Sequence, residues 1–385
     1  MTPEKFTIAV PDAVLDDLAR RLDATRWPDE IVDAGWDYGT NLAYLKALAG
    51  YWRRGYDWRR QEAALNQLPQ YRLEIDGLRL HFVHCRGKGP APLPLVISHG
   101  WPGSFVEMVK LIPLLTDPAA HGGRAEDAFD VVVPSLPGYG FSARPRERGM
   151  NQNRIAALWA KLMAALGYQR FGAQGGDWGA SVSSALGLDH PDRHIGIPHN
   201  FIAGRFLLGG TLTPPAADDV AALYLKQLRA WWDSEGGYNH EQATKPQTLA
   251  YGLNDSPVGL AGWIVEKFRT WSDCGGEPER IFSKDELLTN IMLYWVTETM
   301  PSSTRLYWES REQPLRLSPR NRVTPPVAVA VFPKEIPMPA RALAERGYNI
   351  TRWTEMPAGG HFAAMEQPAL LAQDLRDFFR PLRGR

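Results

Sequence analysis

Early in the chain, apolar positions recur at helical spacing. In "DAVLDDLARRLDAT", Val14, Leu15, Leu18 and Leu22 share one face, which predicts an amphipathic helix that must pack on something. The stretch "YLKALAGYWRRGYDWRRQEAALNQL" keeps that period. From "YRLEIDGLRLHFVHCRG" the period drops to two, and "PLVISHG" and "FDVVVPSLPG" follow as short apolar runs ending in Gly or Pro, as buried parallel strands do. Helical spacing returns in "RIAALWAKLMAALG", where Ile155, Leu158, Leu162 and Leu166 precede a terminating Gly167. With the run "QRFGAQG" after it, this makes a strand–helix–strand unit.

Beyond about residue 200 the sheet pattern stops for more than a hundred residues, and the chain turns helical and aromatic, with Trp231, Trp232, Trp263, Trp271, Trp295 and Trp308. Most of these aromatics are expected in the core, and a minority to line an apolar pocket. A strand-like run resumes at "PPVAVAVFP", followed by a helix around "PARALAERG", a strand "YNITRWTEM" and a closing helix "EQPALLAQDLRDFF". The order predicts four parts. Residues 1–90 form a helical N-terminal region wrapping the core and 91–200 the first half of an α/β core. Residues 201–320 form a helical cap or lid, and 321–385 the second half of the core.

Composition narrows the function classes. Lys plus Arg and Asp plus Glu both total 43, so the balance favours neither nucleic acid nor an anionic membrane as partner. The two cysteines, Cys85 and Cys274, lie in no C-x-x-C or Cys/His cluster, which argues against a disulfide framework or a metal site. There is no G-x-G-x-x-G or P-loop, so no cofactor is expected. No stretch approaches the roughly 18 apolar residues of a membrane span, and a soluble cytoplasmic protein is the expectation. Oligomeric state, homo-oligomers included, is left open.

The chemistry concentrates at "GAQGGDWGAS". Gly175-x-Asp177-x-Gly179 has the spacing of the G-x-S-x-G nucleophile elbow of α/β-hydrolases, with a carboxylate where serine stands. Alone, the motif could be a surface turn. Read with "HGWPGS" before it and "GGHF" after it, that reading loses force. In such folds the triad follows the order nucleophile, acid, histidine, and Asp177, Glu335 and His361 fall in that order near the carboxyl ends of strands. Asp255 and Glu309 also precede the histidine, so the acid is not fixed by order alone.

A carboxylate, with a pKa of about 3.9, is ionised at neutral pH without help from a base. Attack on saturated carbon gives an alkyl ester, whose carbonyl a water activated by His361 can attack, with Glu335 orienting the imidazole. A serine would leave an ether that water does not cleave. The backbone N–H groups of Trp101 and Trp178 occupy the two oxyanion-hole positions, and His99 in "SHGWPGS" is expected to hold the oxyanion loop. A halide or the oxygen of a strained epoxide fits as leaving group. An epoxide oxygen needs an acid, and Tyr238 and Tyr307 are available in the cap.

Together "TRWP", "HGWPGS", "GGDWGA", "GYNHEQATKPQTLAYGLNDSPVGLAGWI", "SSTRLYWES", "VFPKE" and "GGHFAAMEQP" resemble the microsomal-type epoxide hydrolases, in order, from about residue 5 to the C-terminal helix. The resemblance implies an α/β-hydrolase fold: a mostly parallel central sheet flanked by helices, with a helical cap and a helical N-terminal extension. It implies that Asp177 is the nucleophile, His361 the general base and Glu335 its charge partner, and it alone assigns Tyr238 and Tyr307 as ring-opening donors. The partners so implied are a small hydrophobic epoxide and water. The chain departs from the mammalian members in showing no membrane anchor before the helical region, so a soluble relative is expected. The competing readings are a haloalkane dehalogenase using the same Asp, and a non-catalytic α/β-hydrolase serving as a binding module. A serine esterase fails for want of G-x-S-x-G after a strand.

Overall fold

In the computed structural model, which describes residues 2–204, 207 and 219–384, the alternating and short apolar runs become strands of one nine-stranded sheet. A two-residue strand β1 (Glu4–Lys5) pairs with β2 (Gln70–Ile75), which makes a hairpin with β3 (Leu78–Cys85) around Asp76-Gly77. Both turn residues have positive φ, as tight hairpin turns require. The remaining strands are β4 (Leu93–Ser98), β5 (Phe129–Pro134), β6 (Phe171–Gly175), β7 (His194–His199), β8 (Val323–Val331) and β9 (Tyr348–Glu355). The order is β1-β2-β3-β5-β4-β6-β7-β8-β9, antiparallel as far as the β3–β5 pair and parallel beyond it. Chain direction across the sheet reverses at β4, which is flanked by β5 and β6. Such a switch point opens a crevice at the carboxyl ends of the strands.

The N-terminal helices are α1 (Asp12–Asp23), α2 (Leu42–Arg54) and α3 (Trp58–Leu65). The long helical run breaks at Gly55, and Asp57 restarts it by accepting from the Arg60 N–H as a side-chain N-cap. Within the stretch bounded at residue 90, the helical part ends with α3, and the period-two pattern from Tyr71 onward forms strands. These are β2 and β3, whose alternating faces place Leu73, Ile75, Leu80 and Phe82 in the core of the common sheet.

Flanking the sheet are α4 (Leu111–Thr116), α5 (Gln152–Ala165) and α6 (Asp177–Asp189). Strand β7 is the element the apolar pattern missed. Its sequence "HIGIPH" carries polar His residues, yet both His194 and His199 are buried and burial holds both imidazoles neutral, to about 3 and about 4.

Between β7 and β8 come α7 (Asp219–Glu235), α8 (Gly237–Thr244), α9 (Pro246–Asp255), α10 (Pro257–Thr270), α11 (Lys284–Thr297) and α12 (Met300–Glu312). Residues 205–206 and 208–218, at the start of the expected cap, lie outside the described residues. The chain closes with α13 (Arg341–Ala344), α14 (Ala363–Glu366) and α15 (Pro368–Phe379). Among the described residues no helix is long and apolar enough to cross a membrane.

Candidate active site

Asp177 stands at the turn from β6 into α6 with φ +45°, a left-handed conformation uncommon for a residue with a side chain. The glycines around it exist for space. A Cβ on Gly179 would overlap the Ser98 carbonyl, one on Gly175 the Gly179 backbone, and one on Gly100 the Asp177 side chain. The turn can therefore be this sharp only with glycine at those positions, and it lifts the carboxylate clear of the sheet.

The two oxygens of that carboxylate have different surroundings. Asp177 Oδ1 accepts the Trp101 backbone N–H at 2.9 Å, and Oδ2 lies 3.5 Å from His361 Nε2. Trp178 follows in the first turn of α6, where backbone N–H groups have no intrahelical acceptor. His99 braces the loop that carries Trp101. Its Nε2 accepts from the Leu136 N–H at 3.2 Å, so Nδ1 is the protonated nitrogen and donates to the Gly100 carbonyl at 3.0 Å. Burial keeps it neutral, with a pKa of about 4.

His361 is carried on the loop after β9, and its backbone N–H donates to the Trp271 carbonyl at 2.8 Å. On the far side of the ring, Nδ1 meets Glu335 Oε1 at 2.6 Å, and that same oxygen accepts the Ile336 N–H at 2.7 Å. The Glu335 side chain is 2% exposed. Burial alone would lower the His361 pKa, but the carboxylates of Glu335 and Asp177 outweigh it and hold the imidazole well above its ordinary value. Of the carboxylates considered from the sequence, Glu335 is on the imidazole. Asp255 instead pairs with Arg21, and Glu309 accepts the Gly149 N–H.

The cap supplies a roof of aromatic rings. Tyr238, on α8, stacks on Trp101 with centroids 5.3 Å apart and planes 6° from parallel. Tyr307, on α12, meets Trp178 edge to face at 4.8 Å and Tyr238 at 6.0 Å. The Tyr307 hydroxyl is buried, faces the Trp178 indole and donates to no acceptor among the described residues. Burial, reinforced by Tyr238 and Asp177, raises its pKa well above 10, so it stays a proton donor.

Asp177, Trp178, Tyr238 and Tyr307 all line one cleft of about 590 Å³, open volume at its mouth included. Its other walls are chiefly apolar, with Phe201, Leu228, Trp231 and Trp232 among them. Every site residue expected from the sequence thus lies at this one edge of the sheet. Glu107 was not expected there. It is buried beside the oxyanion loop, and its place eight residues after His99 carries no signal in the sequence.

Residues 3–108 match the family described as "Epoxide hydrolase N terminus", and residues 94–235 match "alpha/beta hydrolase fold". A protein of Stigmatella aurantiaca is 49% identical over 383 residues, covering 99% of this chain and 85% of its own length. "Epoxide hydrolase 1" of Oryctolagus cuniculus is 40% identical over 398 residues, covering 97% and 88%. Among solved structures, juvenile hormone epoxide hydrolase from the silkworm Bombyx mori superposes with a TM-score of 0.88 at 32% identity, covering 99% of this chain and 95% of that one.

Proposed function

Because the chain belongs to the microsomal-type epoxide hydrolase family and is an epoxide hydrolase, we propose that it works through an alkyl ester on Asp177. The observation that carries this reading is the division of labour between the two Asp177 oxygens, one held by the Trp101 N–H and the other 3.5 Å from His361 Nε2, on a residue that lines the cleft. Oδ2 attacks an epoxide carbon and the carbon–oxygen bond of the ring breaks. Tyr238 and Tyr307 donate hydrogen bonds to the departing oxygen and one phenol supplies its proton.

Ester formation removes the negative charge of Asp177. One of the two carboxylates holding the His361 pKa up is thereby gone, so the pKa falls and the imidazole is released from its protonated form when a base is needed. Water then adds to the ester carbonyl carbon and gives its proton to His361 Nε2. The oxyanion on Oδ1 rests on the Trp101 N–H, the diol departs with Oδ2 as the imidazolium returns a proton, and the second water proton, left on the new Asp177 carboxyl, passes to the phenolate so that both carboxylate and phenol are restored. Glu335 stabilises that imidazolium and fixes the tautomer.

The apolar walls of the cleft favour a hydrophobic epoxide. The test compares styrene oxide with 1-chlorobutane. The reading predicts diol from the first and no chloride from the second, whereas chloride release at a comparable rate would return the haloalkane dehalogenase reading.

A further inference from the structure

Sharing Asp177 with the substrate cleft, a second and smaller inner cavity is lined by Asp177, His361, Glu107, Gln174 and Asn200. We propose that it holds the water that hydrolyses the ester, and that Glu107, on the short 3₁₀ turn Phe105–Met108, is the positioning residue that keeps this water between His361 and the Asp177 carbonyl carbon. The inference rests on the ester mechanism above.

Which residues line which cavity makes the first argument. Asp177 borders both cavities, but His361 borders the inner one and not the cleft. During hydrolysis the alkyl group still fills the cleft, attached to Oδ2. A base that faces the inner cavity activates the water lying there.

Size and polarity agree with this placement. The inner cavity has room for water over about 20 Å³, and a single water needs roughly 10 to 15 Å³ with two to four polar partners. Those partners are present. Gln174 Nε2 donates to Asn200 Oδ1 at 2.8 Å, while Gln174 Oε1 is buried with no hydrogen-bond partner among the described residues. A buried acceptor of this kind is ordinarily satisfied by water.

Glu107 is a buried acid that the triad mechanism does not use. Its carboxyl lies so close to the oxyanion loop that a Cβ on Gly103 would overlap Oε1. Glycine at 103 is what admits it. The charged groups facing it are His361 and Asp177, and burial, reinforced by Asp177 and opposed by His361, pushes its pKa up to about 8. At neutral pH it is an uncharged acid that can both donate to and accept from one water, without adding a second anion beside the nucleophile.

The test uses the full chain with styrene oxide, following the alkylation and hydrolysis phases separately by rapid quench and intact-mass spectrometry. Glu107→Gln keeps an uncharged hydrogen-bonding group, so both phases stay within roughly fivefold of the parent enzyme. Glu107→Leu leaves alkylation within that range but slows hydrolysis roughly 10- to 100-fold, the scale of one lost buried hydrogen bond, and the ester dominates the steady state.

Should Leu prevent folding, Glu107→Asp withdraws the carboxyl by about 1.5 Å and is expected to slow hydrolysis alone. Unchanged hydrolysis in either variant, or equal slowing of both phases, overturns the proposal and leaves Glu107 a brace of the oxyanion loop. Absence of adduct in a His361→Gln control would instead sink the ester mechanism itself.

Discussion

At the scale of single residues, the proposed mechanism divides the site between a carboxylate that reacts and groups that hold protons for it. The Tyr307 phenol lines the cleft and donates to no acceptor among the described residues, which fits the donor role proposed for it. Tyr307→Phe is expected to slow alkylation of Asp177 by about 10² to 10⁴, with little change in ester hydrolysis, measured as separate transient phases. Glu335→Gln acts on the other half. Burial depresses the His361 pKa and the Glu335 carboxylate raises it, so its removal lets burial pull the pKa down. The acidic limb of the hydrolysis profile then moves to lower pH while its plateau falls about 10²-fold or more. An unmoved or upward-shifted limb would contradict that assignment.

The residue scale is also where sequence reading was strongest and weakest. Asp177 and His361 announce themselves because glycine-rich loops after short apolar strands aim side chains into a site. Tyr238 and Tyr307 sit within aromatic helices, where local periodicity gives no reason to prefer them over other tyrosines, and only family resemblance singled them out. Glu107 gave no signal at all, since its role depends on a cavity made by segments far apart in the chain.

At the scale of elements, the elbow between β6 and α6 positions the chemistry, and its glycines have no room for a methyl group. Gly179→Ala would drive a Cβ into the Ser98 carbonyl and is expected to cost about 2 to 4 kcal/mol in chemical denaturation, with loss of turnover. Gly252→Ala, in exposed α9 with nothing near the added carbon, is expected to be neutral or to stabilise by up to about 1 kcal/mol. Equal effects would refute the steric account. Elements with clean periodicity were legible: α1, α5, β4, β5 and β8 lie where apolar spacing puts them. Strand β7 was not, because its buried histidines are polar letters in an apolar place, made tolerable by neutralisation that a one-dimensional pattern does not encode.

At the scale of the whole molecule, the N-terminal segment is tied to α10 and α11, in the helical stretch between β7 and β8 that also carries the two site tyrosines. Tyr51 donates to Asp285 at 2.8 Å, Thr40 to the Gly262 carbonyl at 2.7 Å, and Trp52 packs its indole N–H on the Met292 sulfur at 3.2 Å. These contacts join α2 and its preceding loop to α10 and α11, and α10 runs directly into Trp271, which holds the His361 backbone. Trp52 is only 3% exposed. Trp52→Ala is expected to destabilise the protein by about 3 to 5 kcal/mol and to lower turnover as well, measured by thermal unfolding and diol formation. Lost stability with full activity would mean that the N-terminal segment does not support the site.

The central claim is the ester on Asp177, and its most direct measurement is intact-mass spectrometry of His361→Gln mixed with an epoxide that the parent enzyme turns over. The account predicts a protein adduct of substrate mass that maps to the peptide containing Asp177. No adduct, or an adduct on another residue, would contradict it.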